Sequence, residues 1–276
     1  ASQFLTVIEP FEGKRRIQSI EPIELSSAAA GPFKPIGVRI TSEEFVDTIL
    51  FQADETVDCT TGDGITSDGR FAFWRQRDGK CLAAVLAGGT KLEKADVRIT
   101  LPQSAYHGRI ASCDWPNRTL VIEPAPGEAE ALVGLHVQLA NESGSHASYL
   151  IEAAEKVEGG CRITLPFDPR IGEGFVAGCD EGVVRSATKL RFHNYWRYYA
   201  GKTIANEDAS RAYRLRDVSG AVNCVLDESV DGKIAAETLR AELTDRNDDG
   251  RARFVIYDYG PGDQATIQRS TTLPGR

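Results

Sequence analysis

Methionine is absent from the 276 residues. A complete reading frame begins with one, and a chain of this length ordinarily holds several more. The sequence therefore reads as a mature product or as a piece of a longer polypeptide. The opening Gln3–Ile8, read as a strand already in progress, favours the piece. A run of about 20 apolar residues is also missing, so no membrane-spanning helix is expected. The longest apolar stretches, such as Cys81–Ala87, are cut short by Gly or a charge. No basic, apolar leader opens the chain. Positive charge is in deficit, with 32 Lys and Arg against 40 Asp and Glu and a net charge of −8. That argues against a nucleic-acid binder, which needs a basic face for phosphates. Histidine is scarce, at four residues, and none sits at a metal-ligand spacing such as HxxxH. No Gly-rich phosphate loop and no Gly-x-Ser-x-Gly elbow is present.

Cysteine is present but unclustered. The six lie at 59, 81, 113, 161, 179 and 224, and the nearest two, Cys161 and Cys179, are 18 positions apart. That spacing excludes CxxC zinc and redox motifs. Up to three disulfides in an exported chain would fit the even count. Six buried thiols fit as well, and a chain of this size needs no staples, which favours the thiols.

What the sequence has in abundance is the β-hairpin. Arg70–Gln76 runs through Asp78-Gly79 into Lys80–Leu86, a two-residue turn of the kind that needs positive φ at both positions. Gly88-Gly89 leads to Asp96–Leu101. The pattern returns as Ser148–Glu152 with Cys161–Leu165 around Gly159-Gly160. It returns as Ala212–Arg216 with Val222–Leu226 around Ser219-Gly220, and as Leu239–Thr244 with Ala252–Tyr257 around Asp249-Gly250. Helical periodicity is rare. Ser42 could cap a short helix, but Phe45–Phe51 is rich in β-branched and aromatic residues and reads as a strand. Closely spaced strands with Gly-rich turns indicate an all-β fold, an antiparallel β-sandwich with an appended small β-domain. Prolines at Leu101-Pro102 and Pro166 mark seams. They divide the chain into a β-sandwich region at 1–102, a small barrel-like unit at 103–180, and a β-sheet region at 181–276 that could return to the first sandwich.

Three places could carry chemistry. In Arg191–Tyr199, taken as a strand, His193, Tyr195, Arg197 and Tyr199 share one face, and Phe192, Asn194, Trp196 and Tyr198 share the other. One face could be core between sheets. The other could stack a sugar ring and bind its hydroxyls or carboxylate, which makes His193, Asn194, Tyr195, Trp196, Arg197 and Tyr198 the candidate substrate-binding residues. Asp245, Asn247 and Asp249 match the front of a calcium loop, with Gly250 at its sixth position. Arg253 and Ile256 stand where the later ligands belong, so an acidic turn is the competing reading. No other cofactor is expected. Tyr106-His107 could share acid–base work, but neighbours on a strand point to opposite faces. His136 lies on an alternating strand opposite in facing to Leu135 and Val137, and His146 lies among Ser and Gly in a loop.

Two segments resemble a known family. Phe4–Gly13 followed by Ile17–Ile20 is the first. The second is Asp47–Phe51, then Thr66–Trp74 with its Asp68-Gly69-Arg70, then Leu86–Leu92 with its Gly88-Gly89-Thr90. Both are similar to the C-terminal β-sheet region of heparinase II/III-like polysaccharide lyases, and the resemblance covers residues 3–100. It implies β-elimination on uronic-acid-containing glycans, with a Tyr or His that moves the proton beside a neutralised carboxylate. In that family these groups sit mainly on an N-terminal helical toroid and the first part of the β-region, so no catalytic residue maps onto this chain. The resemblance implies a bacterial, secreted protein, periplasmic or extracellular. Its partners would be an anionic polysaccharide and the N-terminal catalytic portion of the same polypeptide, with no nucleic acid and no membrane. The alternative is a free-standing carbohydrate-binding β-module. A self-sufficient lyase would have to use His107 with Tyr106, or His193 with Asn194, Tyr195 and Arg197.

Overall fold

The computed structural model describes residues 5–29, 31–53, 57–180, 182–192, 197–227 and 252–273. The fold is all-β, built from antiparallel sheets, and the chain divides into two compact units, 1–106 with 268–276 and 107–267. Among the described residues no helix is long and apolar enough to cross a membrane.

The first unit is a sandwich. Its first ten strands are β1 (Ile17–Ile23), β2 (Leu25–Ser27), β3 (Ile36–Ser42), β4 (Val46–Phe51), β5 (Cys59–Thr61), β6 (Thr66–Ser67), β7 (Phe71–Arg77), β8 (Lys80–Ala87), β9 (Lys91–Lys94) and β10 (Val97–Thr100). Strands β1, β3, β4, β7 and β8 form one sheet in that order, and β10, β9, β6, β5 and β2 form the other. Alternation on β4, β7 and β8 sets the register. Leu50 stands opposite Ala72 and Ala72 opposite Leu86, while Thr48, Trp74 and Ala84 form the next row. These rows pack against Cys59, Ile65, Leu92 and Ile99 of the second sheet to make one core. Each fully buried leucine or isoleucine there contributes about 1.5–3 kcal/mol. The β7–β8 turn uses Asp78 and Gly79 at φ 50 and 76, as expected from the Asp-Gly pair. Ser42 caps a tight turn by accepting from the amides of Glu44 and Phe45, and β4 follows as a strand.

The opening segment departs from expectation. Residues 5–8 join no sheet. The Glu9 carboxylate instead accepts from the amides of Arg16 and Ile17, which folds the segment back at the start of β1. Local hydrogen bonding has replaced strand pairing there.

Asp68-Gly69-Arg70 and Gly88-Gly89-Thr90 close against each other. Asp68 Oδ1 accepts from the amides of Thr90 and Lys91 at 2.8 and 2.7 Å, and its Oδ2 accepts from the Thr90 hydroxyl at 2.5 Å. A Cβ on Gly89 would collide with the Gly69 backbone. The two motifs therefore form a structural latch between loops. Gly89→Ala is expected to destabilise the first unit by about 1–3 kcal/mol. Gly62→Ala, whose Cβ would meet nothing within 4 Å, should change stability by less than about 0.5 kcal/mol. Thermal unfolding of the two variants side by side checks this, and equal losses would show that the latch tolerates a side chain.

The second unit has two parts. β11 (Ala105–Asp114), β12 (Thr119–Glu123), β13 (His136–Ala140), β14 (His146–Leu150), β15 (Ala153–Val157) and β16 (Gly160–Thr164) belong to a seven-stranded sheet. Next come β17 (Arg170–Asp180), β18 (Val183–Ser186), β19 (Thr203–Asn206), β20 (Ala212–Ser219), β21 (Asn223–Leu226) and β22 (Arg253–Tyr257), which form a closed barrel in the order β17-β18-β21-β20-β19-β22. β23 (Gln264–Gln268) then returns to the seven-stranded sheet between β13 and β11. Last, β24 (Ser270–Leu273) returns to the sandwich beside β8.

The seven-stranded sheet is curled. β14 and β15 are its opposite edges, yet only Ile151 and Glu152 separate them. Ile151 donates to Leu135 O and Glu152 donates to Thr164 O. Residues 146–157 are thus one bent strand that lies against β13 with its first half and β16 with its second, drawing the two edges together. Ile110, Leu120, Ile122, Val137, Leu139, Ile163, Ala265 and Ile267 are buried on it. A 3-10 turn, Glu130–Leu132, adds the buried Leu132.

One hairpin and one loop expectation need correction. The strand paired with Cys161–Leu165 is Ala153–Val157 and not Ser148–Glu152, because Gly159 takes φ 76 and sets a short turn immediately before β16. His146 begins β14 and is not a loop residue. Leu239–Thr244 lies outside the described residues. All six cysteines are free. Burial pushes the Cys59 thiol up to about 11 and the Cys224 thiol up to about 12, which keeps both protonated and unreactive.

Candidate functional site

The aromatic run is not a strand where it is described. Phe192 and Arg197 take positive φ, at 58 and 48, and 197–201 is a turn leading into β19. Positive φ breaks the alternation that would have sorted the run into two faces. Tyr199 is buried in the barrel core and its hydroxyl donates to Arg191 O. Tyr198 is half-buried, with its ring edge-on to Tyr199 at 4.9 Å and tilted against Phe192 at 5.0 Å. Arg197 is exposed. Those contacts give Tyr198 a packing role, and Arg197 is the exposed candidate among the described members. His193, Asn194, Tyr195 and Trp196 lie outside the described residues, as do Asp245, Asn247 and Asp249. Among the described residues no group of three or more His, Cys, Asp or Glu is placed to hold a metal ion.

The densest polar cluster joins the curled sheet to the barrel. The segment between β22 and β23, Asp258–Asp263, runs along this seam. Lys202 Nζ lies 2.6 Å from Asp258 Oδ1, and the Tyr149 hydroxyl donates to Asp258 Oδ2 at 2.6 Å. Tyr149 meets the Tyr259 ring edge-on at 5.7 Å, and Trp115 stacks on Tyr257 at 4.7 Å. Arg214 pairs with Asp263 at 2.8 Å and also donates to Gly201 O and Pro261 O. Gly260 N donates to Asp263 Oδ2. Burial raises the Asp263 carboxyl to about 6, against the opposing pull of Arg214. Burial and then the Asp258 carboxylate push the Tyr149 phenol up, so it stays a proton donor and is not a base. The side chains of Lys202 and Asp263 are each only 4% exposed. A substrate could not reach them, and the cluster acts as a structural bond between two packed parts.

The open site lies on the outer face of the curled sheet. Tyr106 is buried and His107 exposed, as neighbours on a strand require. His107 and Arg109 project outward from β11, Gln264 and Thr266 from β23, and Glu123 from the end of β12. With Gly159 of the β15–β16 turn they line an open cleft of about 660 Å³. Its floor is firm, since Ile110 and Ile122 pair across β11 and β12 beneath it and both are buried. The asparagine-free β22–β23 segment fixes one end, because Ile110 N donates to Asp263 O and Gly262 N to Ile110 O. His107 Nδ1 lies 3.3 Å from Thr266 Oγ1. Arg109 and Glu123 stand directly opposite in register. Among the described residues the side chains of Arg109, Glu123 and Gln264 make no hydrogen bond or ion pair, so their bonding capacity is open to a ligand. Such a set can bind hydroxyls and one carboxylate.

Of this cleft, sequence reasoning singles out only His107. The spacing of His107 and Arg109, two apart on one strand, places both on the same face. What brings Glu123, Gln264 and Thr266 to them is pairing between strands whose residues stand as much as 159 positions apart. Comparison with protein-family models finds no match, nor does comparison with curated proteins or with solved structures.

Proposed function

We propose that this chain is the β-region of a polysaccharide lyase that acts by β-elimination on uronic-acid-containing glycans, and that it lines the sugar groove without itself supplying the catalytic groups. The observation that carries the reading is the cleft of His107, Arg109, Glu123, Gln264 and Thr266, an open polar trough with unspent donors and acceptors. An open trough lets a polymer pass through, where a closed pocket would take only a chain end. Arg109 offers a bidentate donor for a uronate carboxylate. The resemblance of residues 3–100 to heparinase II/III-like lyases gives the reaction class. The partner of this region is then the catalytic portion of the same polypeptide, and the setting is periplasmic or extracellular. A second reading, a free-standing carbohydrate-binding module, is favoured by one feature: every residue lining the cleft belongs to 107–267, so the trough needs nothing from the sandwich unit.

The chain, incubated alone with a panel of uronate polysaccharides, is expected to give no rise in the ultraviolet absorbance of unsaturated product. It should nonetheless be retarded in gels containing a glycan of the panel, and Arg109→Ala should weaken that retention at least tenfold. Product formed by the chain alone would overturn the non-catalytic reading. Product formed only when a catalytic portion is added would favour the lyase over the free-standing module.

A further inference from the structure

Among the described residues Arg109 is the one Lys or Arg lining the cleft, and Glu123 is the one Asp or Glu. They face each other across adjacent strands, in register, without forming an ion pair among the described residues. The Glu123 carboxylate lies beside the β15–β16 turn: its Oε1 is 3.3 Å from where a Cβ of Gly159 would stand. Gly159 is at φ 76 and leaves that space to the carboxylate. A ligand that brings one negative charge can seat it on Arg109. Because Glu123 is the register partner of Arg109, a second negative charge on the same or the next sugar would be repelled by it, offsetting what Arg109 contributes. The net charge of −8 adds to that penalty at longer range.

We infer that the cleft selects an unsulfated uronate glycan, one carboxylate per seated repeat, over its sulfated counterpart. This deepens the proposed function and rests on it. The carboxylate lies on Arg109. Hydroxyl or N-acetyl N–H groups of the neighbouring sugar donate to Glu123, whose two oxygens are acceptors only. Gln264 and Thr266 take further hydroxyls along the trough. Selection comes from the anion as much as from the cation, because Glu123 acts against the wrong ligand.

The test uses the full chain and three matched pairs of polymers: hyaluronan with chemically sulfated hyaluronan, chondroitin with chondroitin sulfate, and N-acetylheparosan with heparin. Dissociation constants are measured by calorimetry at one fixed salt concentration. At least one unsulfated member is expected to bind tenfold or more tightly than its sulfated partner. Arg109→Ala should abolish that binding, and Glu123→Gln should strengthen the sulfated partner and narrow the gap. Both side chains are exposed, so circular dichroism of the variants should match the parent. Tighter binding of the sulfated member in every pair that binds would overturn the inference while leaving the groove reading intact. Unsulfated binding that survives Arg109→Ala would overturn the assignment to this cleft. Absence of binding in all three pairs would overturn both the inference and the proposed function beneath it.

Discussion

Replacing Lys202 by methionine is expected to lower the unfolding free energy of the second unit by about 3–5 kcal/mol. Lys202 Nζ sits 2.6 Å from Asp258 Oδ1, with 4% of its side chain exposed and 17% of its partner's. The methionine would fill the same channel, so packing loss is small. What remains is a carboxylate in a poorly solvated seam with, among the described residues, only the Tyr149 hydroxyl to satisfy it. That is the costly half of a buried pair: removing one charge strands the other. Adding Asp258→Asn to Lys202→Met should recover more than half of the loss, since the amide oxygen still accepts from Tyr149 and no charge is left behind. Denaturant unfolding with hydrogen exchange read at β19 and β22 measures both variants. A cost below about 1 kcal/mol for the single variant would mean that water reaches the seam.

The second large effect is a dependence on pH set by Asp263. Its carboxyl is raised by burial from 3.8 to about 6. The folded chain therefore holds a proton over a range where the unfolded chain has released it. By linkage, the contribution of this group is fully present below the unfolded value near 3.8 and is lost as pH rises to about 6. The span amounts to about 3 kcal/mol. Exposed carboxylates lowered by their partners, such as Asp168 beside Arg170, act with the opposite sign. The useful quantity is accordingly the difference between the parent and Asp263→Asn, measured from pH 4 to pH 7. The parent's advantage over the variant should shrink across that window, whatever constant offset the loss of the Arg214 pair imposes. A difference that stays flat, or that grows with pH, would show Asp263 ionised throughout and held by Arg214.

Much of the fold was legible because the turns are chemically explicit. Asp78-Gly79 can hardly be anything but a hairpin turn, and the alternation in Phe71–Arg77 then sends Ala72 and Trp74 inward. Alternation alone set His136 opposite Leu135 and Val137 and His107 opposite Tyr106, and both histidines are exposed. The failures share a cause. Arg191–Tyr199 has the composition of a strand, yet its described ends sit in turns with positive φ, which Phe and Arg rarely adopt and which no Gly, Asn or Asp at those positions announces. Tyr199 is buried in the barrel with its hydroxyl bonded to Arg191 O. The segment at 5–8 likewise has strand composition, but Glu9 turns it back onto the amides of Arg16 and Ile17. The polar seam left no local trace either. Lys202, Tyr149, Asp258 and Asp263 look like ordinary surface residues until the barrel and the curled sheet are packed together. The cleft was half-visible: one strand contributes His107 and Arg109, and its other walls come from elements far along the chain.

The order in which strands return has a consequence in time. One sheet of the sandwich starts with β1 but receives its sixth strand from β24, and the curled sheet starts with β11 but receives the interior strand that joins β11 to β13 from β23. Among the described residues the barrel, β17 to β22, is the only one of the three parts whose strands follow one another without a strand of another part between them. During synthesis it is thus the first that can be completed, while both older sheets wait with an edge or a gap exposed. The long loops that must close before β23 and β24 can pair carry an entropic cost that slows these last steps. A ribosome-bound chain that has just emitted Tyr257 would hold one finished barrel and two unfinished sheets. β23 and β24 then complete the parts that were begun first, so these three parts close from the barrel outward.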